Sequence, residues 1–305
     1  MLRLKDLPDF APRHEPVEFS QLSPMQNQKH AKLVRSDLYF GIEIESELWP
    51  AREANLGKWW KPSPKPEGSL KTPLAWEWVS EPLRGKALIH ALMRYTAAAK
   101  VHDAHFTDRC GVHIHVNLLE FPVDALPALG LLTVAMDNVF YSLGNWERSW
   151  NYHCRPLSVT QPDVEEVAEM MRNVIERKDL RLGTRRRYLG TNWSALFRHG
   201  TLEFRHFPGE YRMRNIAYWI NCVACLYTAA EKIPFQELVS LCQNPDITPL
   251  GLKVFGKRRW EKIQDPKIKN AWEWSRETVA FYLETLMPPS GDMSFHKLLQ
   301  QQYII

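Results

Sequence analysis

The chain has 305 residues, 45% of them hydrophobic and 24% charged, with a formal net charge of +4. This fits a globular protein, one large domain or a domain with extensions, and the mild positive balance is not the charge density of a dedicated nucleic-acid binder. Five cysteines over this length do not make a disulfide framework. No stretch of 18 or more apolar residues predicts a membrane span, and the first residues lack the apolar core of a secretion signal, so a reducing, cytoplasmic setting without a membrane partner is expected.

Residues 1–34 are weakly periodic and contain Pro and Gln, and read as an N-terminal arm. A strand follows at "DLYFGIEIESELW". Leu38, Phe40, Ile42, Ile44 and Leu48 alternate with Glu43, Glu45 and Glu47, and a period of two is the signature of a strand with two unlike faces. "KPSPKPEGS" (61–69) reads as a stiff loop. "AWEWVSEPL" reads as a second strand, with Glu77 and Glu81 opposite Trp76 and Trp78. A helical segment, "GKALIHALMRYTAAAK", leads to "CGVHIHVN" (110–117), a third strand with His113, His115 and Asn117 on one side and Val112, Ile114, Val116 and Leu118 on the other.

A helix is predicted over 123–143, and another over "TQPDVEEVAEMMRNVIERK", with Thr160 as its cap. A basic run, "RKDLRLGTRRRY" (177–188), reads as a solvated loop or as a patch for phosphate, on a nucleotide or a nucleic acid. "RRYLGTNWSALF" and "TLEFRHF" flank "RHG", which predicts two strands joined by a tight turn. The second of them sets Glu203 and Arg205 opposite Leu202 and Phe204. Helical patterns dominate from about residue 213. They include "NIAYWINCVACLYTAA", the most apolar segment, where Cys222 and Cys225 read as core. Strands and helices without regular βαβ alternation predict an α+β fold with helices stacked on one face of the sheet.

Side chains at i and i+2 of a strand share a face. Four strands therefore offer Glu43, Glu45 and Glu47; Glu77 and Glu81; His113, His115 and Asn117; and Glu203 and Arg205. Each alone is an ordinary solvated face. Together they are rich in carboxylate and imidazole and poor in Lys, Ser and Thr, and clustered carboxylates repel unless cations balance them. Mg²⁺ or Mn²⁺ suits hard oxygen donors with a histidine among them, and Arg205 suits a phosphate or carboxylate. Acids for metal beside an arginine for phosphate imply nucleotide chemistry. A metal-dependent hydrolase (a phosphoesterase or nuclease) on the same face is the alternative, and a non-catalytic protein that binds nucleic acid through 177–188 is a second rival.

At "FGIEIE", "EGSL" (67–70), "WEWVSEPL", "CGVHIHVN", "WNYHCRPL" (150–157), "RRYLGTNWSAL" and "GTLEFRHFPGE" (200–210) the sequence resembles the amidoligase family, carboxylate–amine ligases of the glutamine synthetase and glutamate–cysteine ligase superfamily. Glu67 stands where that family usually has Asp in "DGSL", and Glu210 follows Gly209 in place of a more usual Thr. The resemblance implies a curved antiparallel sheet, helices on its convex face and the active site on its concave face, in a catalytic domain over 35–235 followed by a helical extension over 236–305. It implies metal held by Glu43, Glu45, Glu77, Glu203 and His113, with His115 a ligand or a substrate contact. It implies Arg205 on ATP or acyl phosphate, and Arg186, Arg187 and Asn192 on phosphate or substrate. The expected reaction is ATP-dependent amide formation through an acyl phosphate, in which Glu203 and Arg205 are the catalytic pair and Mg²⁺ or Mn²⁺ the cofactor. The substrates would be an acid and an amine: small molecules, a peptide or a modified base. Cys110 and Cys154 are expected to be structural, and His102, His105 and His153 to be plain surface or core histidines. The arm and tail are open to use as a lid, a recognition surface or an oligomer contact.

Overall fold

The structure is a computed structural model that describes residues 2–7, 32–47, 56–70, 75–144, 146–157, 161–176, 188–263 and 266–287. It is an α+β fold built on an open six-stranded antiparallel sheet. The strands are β1 (Phe40–Ser46), β2 (Lys65–Pro66), β3 (Trp76–Val79), β4 (Gly111–Asn117), β5 (Thr191–Asn192) and β6 (Thr201–Pro208), in the order β2-β3-β1-β4-β6-β5. The helices are α1 (Gly85–Val101), α2 (Leu126–Leu143), α3 (Gln161–Ile175), α4 (Ala195–His199), α5 (Met213–Lys232), α6 (Phe235–Gln243), α7 (Thr248–Phe255), α8 (Lys257–Ile263) and α9 (Pro266–Leu286).

The alternation read from the sequence decides which face meets the helices. Phe40, Ile42, Ile44, Val112, Ile114, Val116, Leu202 and Phe204 are all buried in one core with side chains of α1, α2, α3, α5 and the later helices. Each such side chain removed from water contributes about 1.5–3 kcal/mol. A slip of one residue in any strand would exchange this face for the charged one, so the hydrophobic pattern fixes which face each strand turns to the helices.

One irregularity re-aims β6. Val112 pairs with Phe207 and Ile114 with Phe204, so two residues, Arg205 and His206, oppose the single His113. This β-bulge keeps Arg205 on the charged face and sends both His206 and Phe207 to the helix side. There Phe207 stacks on Trp219 of α5 and His206 meets Asp137 of α2 at 2.7 Å. Strict alternation would have put Phe207 beside Arg205.

Three local expectations are corrected. "KPSPKPEGS" is not loop throughout: Lys65 and Pro66 form β2, an edge strand, where Pro is tolerated because one side of the strand donates to nothing. The "RHG" connection is not a hairpin turn. Ala195–His199 form α4, which ends on Gly200 at φ +67°, the left-handed residue that commonly stops a helix. Among the described residues the helix long and apolar enough to suit a membrane span is Val123–Leu143 (21 residues, mean hydropathy 1.4 over its apolar window) rather than the α5 run, yet 89% of that window is buried inside the fold. It is the central core helix, packed on α3, α5, α6 and α9. Thr160 lies outside the described residues.

Both ends of the described chain join this core. Leu4 is fully buried, and Leu2–Lys5 bonds along the 119–123 segment through Val123 N–H to Leu2 O at 3.0 Å and Lys5 N–H to Leu119 O at 2.9 Å. Trp260, Trp272 and Tyr282 of α8 and α9 extend the core at the other end.

Candidate active site

The register sets the charged residues against one another. Glu43 lies opposite His113, Glu45 opposite Glu77, His115 opposite Glu203, and Asn192 opposite Glu203. Directly opposed residues hold their Cβ atoms about 4.5–5.5 Å apart, so five strands deliver their polar side chains to one place. A cleft of about 610 Å³ opens over them. Of the predicted residues it gathers Glu43, Glu45, Glu77, His113, His115, Asn192, Glu203 and Arg205, and Glu67 also lines it.

Other predicted residues are elsewhere. Glu47 is buried away from the cleft, where its backbone bridges His105. Glu81 lies past the end of β3, its N–H on Trp59 O at 2.9 Å. Asn117 turns its amide oxygen to the N–H of Leu119 at 3.0 Å and shapes the turn after β4. Arg186 and Arg187, with the rest of the basic run up to 187, lie outside the described residues. The Glu210 carboxylate is not in the cleft. It accepts the N–H groups of Tyr211 and Arg212, both at 2.9 Å, the Arg212 guanidinium and the Asn215 amide, and so clamps the start of α5.

The cleft also includes residues not anticipated: Lys65, His153, Tyr188, Arg198 and His199. His153 was expected to be plain, yet its carbonyl accepts Arg205 Nε–H at 3.1 Å. Burial and the Arg205 charge lower its pKa. His199 is delivered by the unforeseen α4, and its ring meets that of His115 at 6.2 Å.

Hydrogen bonds orient the acids and imidazoles. Asn192 Nδ2–H donates to Glu203 Oε2 at 2.6 Å and Arg205 Nη1–H to Glu203 Oε1 at 2.5 Å. Asn192 is itself held by Ser194. His115 Nδ1 pairs with Thr201 Oγ1 at 3.0 Å, which leaves Nε2 aimed at Glu43 and Glu203, 3.6 and 3.7 Å away. His113 Nδ1 stands 3.4 Å from Glu43 and 3.5 Å from Glu203, and its Nε2 stands 3.6 Å from Glu45.

The charges are strongly coupled. Burial would raise Glu43, but His115 and His113 hold it well below the usual carboxylate range. Burial likewise opposes ionisation of Glu203, and Arg205, His115 and His113 outweigh it. His115 is pushed up: burial disfavours its cation, but Glu203 and Glu43 favour it more. Glu77 goes the other way, to about 7, because burial and the Glu43 charge both favour its neutral form.

These donors fit a hard divalent cation. Two groups of three, Glu43 with His115 and Glu203, and Glu43 with Glu77 and His113, each bring ligand atoms within 4.8 Å of one another, and Glu43 belongs to both. The Nε2 atoms of His113 and His115 are buried with no hydrogen-bond partner. Their 3.6–3.7 Å separations from carboxylate oxygens are too long for hydrogen bonds. Those of His115 from Glu43 and Glu203, its partners in one donor group, approach the roughly 3–3.4 Å between two ligands of one small ion held about 2.1 Å from each.

Compared with known proteins, residues 26–226 match the family described as "putative amidoligase enzyme". The chain belongs to the amidoligase family. Among curated proteins nothing matches. Membership makes this a ligase-type enzyme, with small-molecule or peptide substrates in general. All eight predicted residues gathered in the cleft fall inside the matched segment, whereas α6–α9 lie beyond it.

Proposed function

We propose that the chain is an ATP-dependent carboxylate–amine ligase, working on a glutamine synthetase-like fold whose concave sheet face is the cleft. The observation that carries this reading is the pair of three-donor groups sharing Glu43 beside the anchored guanidinium of Arg205. Glu43, Glu77 and His113 would hold one Mg²⁺ or Mn²⁺, and Glu43, His115 and Glu203 a second. When bound, such ions neutralise phosphate charge and align the transferring group.

A carboxylate is a poor electrophile. One of its oxygens attacks the γ-phosphorus of ATP, the bond to ADP breaks, and an acyl phosphate forms. The amine nitrogen then attacks the acyl carbon, inorganic phosphate leaves, and the nitrogen gives up its proton. Arg205 is suited to the phosphoryl group in both steps. Its Nε and one Nη are already committed to protein, so the rest of the fork is presented in a fixed direction, and such preorganised donors stabilise developing charge. Asn192 orients Glu203 from the other side. Glu67 and Lys65, also in the cleft lining, supply an anion and a cation suited to an amine and a carboxylate.

The test is Mg²⁺-dependent binding of a non-hydrolysable ATP analogue, followed by a screen of acids and amines for ADP release, with hydroxylamine to trap an acyl phosphate. Metal-dependent hydrolysis that ignores nucleotide would replace this reading with the hydrolase one. No nucleotide binding, and no effect of Arg205→Ala, would end it.

A further inference from the structure

Arg148 lies in a 3₁₀ turn, Trp146–Trp150, between α2 and α3, and only 3% of its side chain is exposed. Its guanidinium is spent on backbone carbonyls at the start of β4 and in β6. Nε–H donates to the carbonyl of Arg205 at 2.8 Å, and Nη1–H to the carbonyls of Cys110 at 2.9 Å and Arg109 at 3.3 Å. Nη2 stands 4.0 Å from Glu45 Oε2, the oxygen that accepts Gly111 N–H at 2.6 Å. One buried cation thus touches the backbone of the phosphate-side arginine, the entry of the histidine strand and the carboxylate of β1.

Gly111 makes room for it. A Cβ there would stand 1.9 Å from Arg148 Nη2 and 2.5 Å from Cζ. Gly111 has ordinary negative-φ backbone, since among the described glycines only Gly57, Gly85, Gly200 and Gly256 have positive φ. Its missing side chain therefore answers a need for space, not for conformation. A buried guanidinium held by three carbonyls cannot swing aside cheaply, because its charge would lose partners that water does not replace.

We infer that Arg148 is a positioning residue that fixes Glu45 and Arg205 relative to each other, and that Gly111 is glycine in order to seat it. The inference rests on the metal-dependent reading above. The second Glu45 oxygen is left facing His113 Nε2 at 3.6 Å, so without Arg148 this carboxylate, beside a histidine of the donor groups, keeps only its Gly111 N–H. Groups that orient ligands in this way typically change metal affinity by about 10–100-fold when removed.

The experiment is a Mn²⁺ titration by calorimetry or electron paramagnetic resonance on wild type, R148A, R148K, G111A and the double variant G111A/R148A, with circular dichroism and melting curves to establish folding. R148A and G111A are each expected to weaken Mn²⁺ binding by about tenfold, R148K less. Adding G111A to R148A should change little further, because the clash is gone. If R148A does not fold, G111A and R148K carry the test. Wild-type affinity in the folded variants overturns the positioning role while leaving the metal reading intact, and so does a G111A loss that is undiminished in the R148A background. Absence of Mn²⁺ binding by wild type overturns both.

Discussion

Replacing Glu77 by glutamine should make the metal-free protein more stable. Glu77 sits among carboxylates with a side chain 12% exposed, and burial together with the Glu43 charge moves its pKa from the ordinary 4.5 to about 7. Between those values the unfolded chain has lost the proton and the folded chain keeps it, so stability falls as pH rises through the window. At about 1.4 kcal/mol per unit of pH, the full span amounts to about 3 kcal/mol, present at pH 8 and less than about 1 kcal/mol at pH 5. Gln removes this cost. The ion pair it also removes, with Lys65 at 3.3 Å, involves a side chain 56% exposed and is worth at most about 1 kcal/mol. In EDTA at pH 8, E77Q should therefore melt roughly 3–5 °C above wild type, with little difference at pH 5. Adding Mg²⁺ or Mn²⁺ at pH 8 should close the gap, because wild type gains binding energy that E77Q has partly given up. A variant no more stable than wild type at pH 8, or a gain that does not grow between pH 5 and pH 8, would refute the reasoning.

Glu43 is shared by both donor groups, so E43Q should abolish two equivalents of Mn²⁺ binding while E77Q and H115A each abolish one; calorimetric stoichiometry decides this. R205K keeps the charge but cannot serve Glu203 and His153 O while facing the cleft. Its affinity for an ATP analogue should fall at least about tenfold with Mn²⁺ binding retained. E210A removes the clamp on α5 and should cost about 2 kcal/mol in urea melts at pH 7. Burial opposes ionisation of Glu210, but Arg212, backbone N–H groups and Asn215 hold its pKa below the usual value. The loss should therefore be full above the ordinary carboxylate range and shrink as pH falls through the folded value.

The sheet was legible because its two faces differ in chemistry. Phe40 to Ile44 and Val112 to Val116 alternate without error, and the same period that names the core names the acids and histidines opposite. Register was not legible. That Glu43 meets His113 while Glu45 meets Glu77 depends on strand order, which no local pattern encodes. The short β5 and α4 were misread as a hairpin because Asn192 and Ser194 form their own hydrogen-bonded turn and a helix of five residues has too little periodicity to declare itself. His199 was lost with it. Arg148 gave no signal at all: a single arginine between two tryptophans looks solvated, and only tertiary structure shows three carbonyls converging on it. Glu210 differed from the expected pattern for a local reason, since a carboxylate is the better acceptor at the start of a helix.

The bulge in β6 has an evolutionary side. Arg205 and His206 together occupy the span of one β4 residue, so the strand carries a spare position at that point. Deleting His206 would restore plain alternation, with Phe204 and Phe207 still inward and Arg205 still outward; the bond to Asp137 and the ring contacts with Phe140 and Tyr141 would go. Anywhere else in the strand, a deletion would exchange lining for core from that residue onward. This is the one place in β6 where the chain can shorten without turning the enzyme's face inside out.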